Sequence, residues 1–212
     1  MTYAKKVAKA LLDIHAVTLR PDKPFTWASG LKAPIYTDNR LTISYPEVRQ
    51  AIFNGMVEQI KLHFADADVI AGTATAGIPH AAWVAQVLGL PLIYVRSKPK
   101  DHGQGRQIEG VLKKGQKVVV IDDLISTGGS VLNAVRAVAN AGGEVAGVVA
   151  VFTYALPVAE QNFHAHGLKY YAVTDYPTLI QVATENDEIS SDHIASLQQW
   201  RQDPLQWSEG HK

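Results

Sequence analysis

The fold of this chain is predicted by one stretch, Lys117 to Val131, which runs KVVVIDDLISTGGSV. Residues 118–121 are all apolar and β-branched, which is typical of a central parallel strand covered on both faces. Asp122 and Asp123 follow at its carboxyl end, where open α/β sheets bind their ligands. The stretch therefore predicts an α/β fold whose functional site lies at the end of this strand.

Small residues dominate the next segment, Ser126 to Ser130, before a helical pattern of valines begins at Val131. Backbone N–H groups in such a segment can converge on one anion, and the start of a helix adds positive potential. Two acids beside a phosphate-binding loop indicate a ligand that carries a phosphate and vicinal hydroxyls, together with Mg²⁺. In the plainer alternative, the two acids merely end a strand and Ser126 caps the helix. This alternative does not explain why an apolar run, two acids and a small-residue segment follow one another in this order.

Strands and helices alternate along most of the chain, which implies right-handed βαβ units and a parallel sheet. Strands are predicted at residues 69–71, 92–95, 117–121, 144–153 and 170–173, and helices at 4–16, 45–64, 78–88, 131–141, 158–166 and 190–200. Phe25 to Arg40 precedes this alternation and predicts two short strands joined by a turn, which suits a lid over a site. The last residues, Asp203 to Lys212, are predicted to be frayed.

A second informative stretch is the long polar loop from Arg96 to Gly110, which runs RSKPKDHGQGRQIEG. The loop is clearly positive, whereas the whole chain has 20 basic and 20 acidic residues and so no net charge. Long loops without regular structure are usually functional lids or disordered segments. Cations next to a phosphate-binding loop indicate a lid that closes on pyrophosphate. The alternative is an ordinary solvated, charged loop.

The composition limits the classes of function. A chain of 212 residues, 47% of them hydrophobic, allows one domain of ordinary size with a full core. Zero net charge argues against nucleic acid or an anionic membrane as the main partner, and the longest apolar stretch, around residues 146–159, is too short to span a bilayer. The sequence has no cysteine and no signal-peptide core, which fits a cytoplasmic protein.

Several stretches resemble motifs of one enzyme family. VVVIDDLISTGGS resembles the phosphoribosyl-pyrophosphate (PRPP) motif of type I phosphoribosyltransferases, and the loop RSKPKDHGQGRQIEG resembles the catalytic loop of the orotate phosphoribosyltransferase family. FTWASGLKAPIY resembles that family's amino-terminal orotate-binding segment, and GTATAG resembles its pyrophosphate loop. The resemblance covers roughly residues 5–200 and implies the type I phosphoribosyltransferase fold, a central parallel sheet flanked by helices. It also implies a single domain over residues 1–212, with a small N-terminal hood in residues 1–45 and a flexible catalytic loop in residues 96–110.

The resemblance assigns roles to individual residues. It implies transfer of ribose 5-phosphate from PRPP to orotate, with Mg²⁺ carried by PRPP and oriented through water, so that no side chain is a direct metal ligand. The implied catalytic residues are Lys100, His102, Asp122 and Asp123. The implied PRPP-binding residues are Arg96, Lys100, His102, Asp122, Asp123, Leu124, Ile125, Ser126, Thr127, Gly128, Gly129 and Ser130, and Ser126 is also implied to contact orotate. A homodimer is implied as well, because in that family the loop reaches into the neighbouring subunit's site.

The chain departs from the family pattern at three basic positions, which are occupied here by Ser97, Ala76 and Ala28. The family's later orotate-contacting arginine also has no counterpart near VFTYALP. Two other functions stay open at this point. One is a phosphoribosyltransferase for another base, and the other is a PRPP-sensing, non-catalytic regulator on the same fold. Zero net charge weighs against a regulator that binds nucleic acid.

Overall fold

The computed structural model describes residues 2–98 and 107–211. Its strands are β1 (Val17–Leu19), β2 (Phe25–Thr26), β3 (Lys32–Ala33), β4 (Ile35–Thr37), β5 (Val69–Thr73), β6 (Leu92–Val95), β7 (Ile108–Glu109), β8 (Lys117–Ile125), β9 (Glu144–Thr153) and β10 (Tyr170–Asp175). Its helices are α1 (Tyr3–Asp13), α2 (Pro46–His63), α3 (Gly77–Leu88), α4 (Gly129–Asn140), α5 (Pro157–Ala165), α6 (Tyr176–Glu185), α7 (Ile194–Gln202) and α8 (Pro204–Glu209), with 3-10 helices at Asn39–Ser44 and Ser191–His193. Within these described ranges, no helix combines the length and the apolar character needed to cross a membrane.

A six-stranded sheet with the order β10-β9-β8-β5-β6-β7 forms the centre of the described structure. Its strands pair in parallel, except that β7 is antiparallel to β6. The carboxyl ends of β6, β5, β8 and β9 therefore lie along one edge of the sheet, which is where such folds bind ligands. The predicted α/β fold with a central parallel sheet flanked by helices is confirmed.

The core lies on both faces of this sheet because side chains alternate along each strand. In β8, Val119 and Ile121 belong to the cluster that also contains residues of α1, α2, α3, α6 and α7. Val118 and Val120 belong to the opposite cluster, which contains residues of α4 and α5. All four of these side chains are fully buried, as expected for a central strand without polar alternation.

The N-terminal segment forms two small antiparallel sheets, one of β1 with β4 and one of β2 with β3. The β2–β3 hairpin confirms the predicted pair of short strands, and Gly30 in its turn has a φ of +85°. The backbone N–H of Lys32 in β3 donates to Ser208 Oγ of α8 at 2.8 Å. The β2–β3 hairpin is therefore attached to α8, near the C-terminal end of the chain.

In the C-terminal part, one prediction was wrong and one helix was missed. Residues 204–209 form the helix α8 and are not frayed, because Trp207 and Ser208 are buried and Trp207 Nε1 donates to Ser196 Oγ at 2.9 Å. Residues 176–185 were not predicted as a helix, yet they form α6, whose first N–H groups are capped by the Asp175 carboxylate.

The long polar loop is shorter than predicted. Ile108 and Glu109 form β7 against Val95 and Tyr94, and the Arg96 N–H donates to the Gln107 carbonyl at 2.9 Å. Residues 107–110 are therefore joined to the sheet edge.

His80 of α3 is the buried histidine that the sequence pattern did not single out. Its side chain is fully buried, it packs edge-on against Trp83, and neither ring nitrogen has a hydrogen-bond partner in the described part of the chain. Burial lowers the pKa of His80 from its ordinary value near 6.5 to about 4. The folded protein therefore holds His80 neutral under conditions in which the unfolded chain binds a proton.

Replacing His80 by leucine is expected to flatten the loss of stability in acid. Between the folded pKa of about 4 and the unfolded value, only the unfolded chain is protonated, so stability falls as the pH falls through this window. From pH 7 to pH 5 His80 should cost the wild type about 2 kcal/mol of unfolding free energy, and the variant should not lose it. Urea unfolding at both pH values measures the difference, with a substitution of the exposed His164 as the control. Parallel losses in wild type and His80→Leu would contradict the expectation.

Candidate active site

The two acids lie inside the central strand and not after it. Strand β8 was predicted to end at Ile121, but it pairs with β9 as far as Ile125 opposite Thr153. On its other side, β5 pairs with β8 only as far as Ile121. From Asp122 onwards, no described strand pairs with this edge of β8. The backbone groups next to both carboxylates can therefore form hydrogen bonds with other parts of the protein.

The Asp122 carboxylate is held by two donors. The Thr73 hydroxyl of β5 lies 2.5 Å from Asp122 Oδ1, and the backbone N–H of Asp123 donates to the same oxygen at 2.9 Å. The residue is only 7% exposed. Thr73 belongs to the GTATAG segment that resembles a pyrophosphate loop, but its hydroxyl is buried and engaged with β8, since it also lies 3.1 Å from the Ile121 carbonyl.

Burial raises the pKa of both Asp122 and Asp123 above the ordinary aspartate value. The neighbouring charge of Asp123 raises the pKa of Asp122 further, whereas the hydrogen bond from Thr73 opposes the rise. Two carboxylates in adjacent positions of one buried strand end are thus more costly to ionise than solvated ones. Raised pKa values of this kind are typical of functional sites.

Asn39 occupies the edge of β8 that β5 leaves open. It lies in the 3-10 helix Asn39–Ser44, it is 1% exposed, and its Nδ2 donates to the Asp123 carbonyl at 2.7 Å. Asn39 therefore connects the N-terminal segment directly to the acid pair. The sequence offered no way to find this contact, because the two residues are 84 positions apart.

The segment from Ser126 to Ser130 forms a turn into α4, as predicted. Gly128 has a φ of +83°, and no side chain caps the first N–H groups of α4. Thr127, Gly129 and Ser130 are exposed. Uncapped N–H groups at an open helix start are free to bind an anion such as phosphate.

Leu124 and Ile125 are also among the implied PRPP-binding residues, but their side chains pack against the core. Ile125 is fully buried in the core cluster on the α4 and α5 face, and Leu124 packs against the opposite cluster. The Ile125 side chain is therefore part of the core, so that only its backbone atoms are available to a ligand, whereas the half-buried Leu124 side chain keeps some exposed surface.

The turn between β5 and α3 lies next to the acid pair. It contains a cis peptide bond between Ala74 and Thr75. A Cβ atom on Gly77 would lie 2.5 Å from Thr73 Oγ1 and 2.6 Å from the Ile121 carbonyl, so only glycine fits there. The start of α3 consequently packs directly against the end of β8.

Of the three cationic residues predicted in the loop, Arg96 lies in the described part. It follows β6 at the ligand edge of the sheet, and its Nη1 lies 3.6 Å from Glu109 Oε1. Lys100 and His102 lie outside the described residues.

An aromatic cluster joins the hood to the end of β9. Trp27 stacks on Tyr154 with ring centroids 5.5 Å apart, and Trp200 of α7 contacts both rings edge-on. Burial raises the pKa of Tyr154 to about 12. The cluster fixes the position of the FTWASG segment relative to the sheet edge, and it was not visible in the sequence.

The donors present limit how a metal can bind. In the described ranges, no three histidine, aspartate or glutamate side chains come together as a metal cage. The site instead offers two adjacent carboxylates. Mg²⁺ is commonly bound by one or two carboxylates together with substrate phosphates and water, so this donor set fits a Mg²⁺ ion that arrives with a phosphorylated ligand.

Known proteins resemble this chain over nearly its whole length. The phosphoribosyl transferase domain family matches residues 46–181. The orotate phosphoribosyltransferase of Lactiplantibacillus plantarum is 63% identical over 204 residues, which are 96% of each chain. The crystal structure of orotate phosphoribosyltransferase from Aeropyrum pernix superposes with a TM-score of 0.75 at 28% identity, over 87% of this chain and 99% of that one. The Mycobacterium tuberculosis enzyme in complex with PRPP superposes with a TM-score of 0.66 at 28% identity, over 84% and 98% of the two chains.

Proposed function

This chain belongs to the orotate phosphoribosyltransferase family, and we propose that Asp122, Asp123 and the turn from Ser126 to Ser130 form its PRPP site. As a member of that family it is a pentosyltransferase that transfers ribose 5-phosphate from PRPP to orotate. The products are orotidine 5′-phosphate and diphosphate, and the reaction is a step of pyrimidine (UMP) biosynthesis. One observation supports the site above all: the buried Asp122 and the half-buried Asp123 lead through a short turn to a helix start that no described side chain caps.

The two halves of this site suit the two ends of a ribose phosphate. The carboxylates of Asp122 and Asp123 accept hydrogen bonds from the vicinal ribose hydroxyls. The N–H groups at the start of α4, with the exposed hydroxyls of Thr127 and Ser130, bind the 5′-phosphate. Ser126, between the two, contacts the orotate carboxylate, as the family resemblance implies.

The diphosphate leaves toward the cationic loop. Arg96 stands at the ligand edge of the sheet after β6. Lys100 and His102 are assigned to the diphosphate by their positions in the loop sequence, and His102 is assigned as a proton donor to it. These assignments are supported by the charge of the loop and by its attachment between β6 and β7, of which β6 lies next to β5 in the sheet.

The reaction separates charge. The bond between C1 of the ribose and the diphosphate oxygen breaks, its electron pair stays on that oxygen, and a ring nitrogen of orotate forms the new bond to C1. Positive charge grows on the sugar and negative charge on the diphosphate. Carboxylates placed at the sugar and cations placed at the diphosphate stabilise both developing charges most strongly where water is excluded.

Mg²⁺ is proposed as the metal, because the donor set fits an ion that arrives with PRPP. When bound, it acts as a Lewis acid and template at the diphosphate. Asp122 and Asp123 would orient it, as the family resemblance implies. A cytoplasmic location stays a prediction from the sequence, which contains no cysteine.

A homodimer in which the loop is shared across subunits is also proposed. Large apolar side chains are exposed in the segment before α2, with Tyr36 at 48%, Leu41 at 42% and Tyr45 at 45%. Apolar exposure concentrated in one short segment supports contact with a second copy of the chain.

A base-competition assay tests the function. The orotate absorbance is expected to fall only when PRPP and Mg²⁺ are both present. Uracil, adenine and hypoxanthine, each supplied with PRPP, should release no diphosphate. Diphosphate release with one of those bases at a rate comparable to orotate would count against orotate as the substrate.

A further inference from the structure

Helix α5 contacts the phosphate turn from behind. Asn162 lies on this helix, 35 residues from the turn, and its Nδ2 donates to the Thr127 carbonyl at 2.9 Å. No motif in the sequence pointed to Asn162, and the site described above does not use it. The contact joins the turn to a helix that belongs to the packed core.

The geometry of the peptide unit gives this hydrogen bond a consequence. The Thr127 carbonyl and the Gly128 N–H belong to one planar trans peptide, so they point in opposite directions. Because Asn162 holds the carbonyl toward α5, the Gly128 N–H is directed away from α5. A flip of this peptide would change the sign of φ at Gly128, which is +83° here, and glycine tolerates both signs, so the backbone preference of Gly128 does not fix the orientation.

Phe163, the next residue on α5, supplies a second contact. A Cβ atom on Gly128 would lie 2.8 Å from Phe163 Cε2, so the backbone of the turn rests directly on this ring. Phe163 is 1% exposed and packs on Tyr170 with centroids 4.4 Å apart. The Phe163 ring thus limits how close the turn comes to α5. The Asn162 amide sets the orientation of the peptide between Thr127 and Gly128.

We propose that Asn162 is a positioning residue for the 5′-phosphate, because it aims the Gly128 N–H into the phosphate-binding turn. This inference rests on the proposed PRPP site. Asn162 itself does not touch the ligand. It prevents the peptide between Thr127 and Gly128 from turning its carbonyl oxygen, which would repel a phosphate, toward the open side.

Ribose 5-phosphate and pyrophosphate separate this role from a purely structural one. Ribose 5-phosphate needs the turn at α4, whereas pyrophosphate does not. Asn162→Ala is expected to weaken ribose 5-phosphate binding about tenfold, the effect of one misdirected hydrogen bond to an anion, and to raise the KM for PRPP similarly. The affinity for pyrophosphate and the KM for orotate should change less than about twofold.

Two further variants complete the experiment. Asn162→Asp keeps the size of the side chain but removes the donor, so it should lose ribose 5-phosphate affinity at least as strongly. Gln161→Ala alters an exposed neighbour on the same helix and should bind both probes as the wild type does. Calorimetric titration of each probe, with the unfolding midpoint of each unliganded variant, provides the readouts.

The possible failures are distinguishable. If the wild type does not bind ribose 5-phosphate, the proposed phosphate site itself is wrong. If the wild type binds it and Asn162→Ala binds it equally well, the role of Asn162 is overturned. Equal losses for ribose 5-phosphate and pyrophosphate would assign Asn162 to general stability and would also overturn the role.

Discussion

Replacing Lys100 by alanine is expected to lower kcat about a hundredfold, or about 3 kcal/mol of barrier, and to leave orotate binding within about twofold. Lys100 is assigned to the diphosphate, whose negative charge grows only as the bond to C1 breaks. A cation placed there stabilises the transition state more than the bound substrates. Steady-state kinetics with PRPP varied, together with a direct titration of orotate, measures both quantities.

Two controls sharpen the Lys100 experiment. Lys100→Arg retains the positive charge and should keep more activity than the alanine variant. Lys113→Ala removes an exposed lysine that lies in the segment before β8, and it should have no effect on kcat. If kcat and orotate affinity fell by the same factor in Lys100→Ala, the proposed action on the leaving diphosphate would be wrong.

The same variant tests whether the loop is shared between subunits. In a mixture of Lys100→Ala with Asp122→Asn, a mixed dimer would combine an intact loop from one subunit with an intact acid pair from the other. With random exchange, about a quarter of all sites would regain both groups. Activity near that level, where each variant alone is nearly inactive, is expected for a loop shared in trans. Activity that stays at the level of the separate variants would contradict the shared loop.

Replacing Asp122 by asparagine is expected to lower kcat/KM for PRPP at least about a hundredfold and to make the folded protein more stable at pH 8. Asparagine retains Oδ1, which accepts from Thr73 and from the Asp123 N–H, so both observed hydrogen bonds survive. What disappears is the negative charge that we propose for the ribose hydroxyls. The two effects have opposite signs, which distinguishes a functional charge from a structural one.

The direction of the stability effect follows from the raised pKa values of the pair. Because the folded state holds protons on Asp122 and Asp123 at higher pH than the unfolded chain does, the contribution of this pair to wild-type stability falls as the pH rises from about 4 toward neutral, which is opposite in sign to the contribution of His80. Asp122→Asn removes most of that slope. Its unfolding midpoint should exceed that of the wild type by a few degrees at pH 8 and approach it at pH 4.

Asp68 offers a matched control for Asp122. It lies at the opposite, amino end of β8, where its carboxylate accepts the Lys117 N–H at 2.8 Å. Asp68→Asn should leave kcat/KM for PRPP unchanged.

The stability of Asp122→Asn can contradict the prediction. If this variant is less stable than the wild type at pH 8, the charge of Asp122 supports the fold, and the assignment of a destabilising, functional carboxylate is wrong.

The acid pair and the phosphate turn could be predicted from the sequence because each is a local pattern. A β-branched run followed by two acids and a small-residue segment specifies a strand, its end and the start of a helix within 15 consecutive residues of the chain, 117–131. The alternating strands and helices from β5 to β10 were predicted for the same reason, whereas β7, α6 and α8 were not. The boundaries were less accurate: β8 continues through the acids because β9 is long enough to pair with it as far as Ile125.

Helix α8 shows where local reasoning failed. Its sequence, PLQWSE, has local start signals in the Asp203 cap and Pro204, but six residues are too few for a helix that is stable on its own. Trp207 and Ser208 are buried because distant segments cover them, including the β2–β3 hairpin that bonds to Ser208. Tertiary burial stabilises a helix that its own sequence would leave marginal.

The sequence by itself thus determined the fold class and the family. It also pointed to the charged residues and the small residues of the candidate site. Only the tertiary structure decided how those residues are held: Thr73 on Asp122, Asn39 on the Asp123 carbonyl and Asn162 on the Thr127 carbonyl. The reason is that apolar periodicity and turn chemistry depend on neighbours in the chain. The hydrogen bonds that orient this site join a side-chain amide to a backbone carbonyl 35 or 84 positions away, and these groups meet only after the sheet and helices have packed.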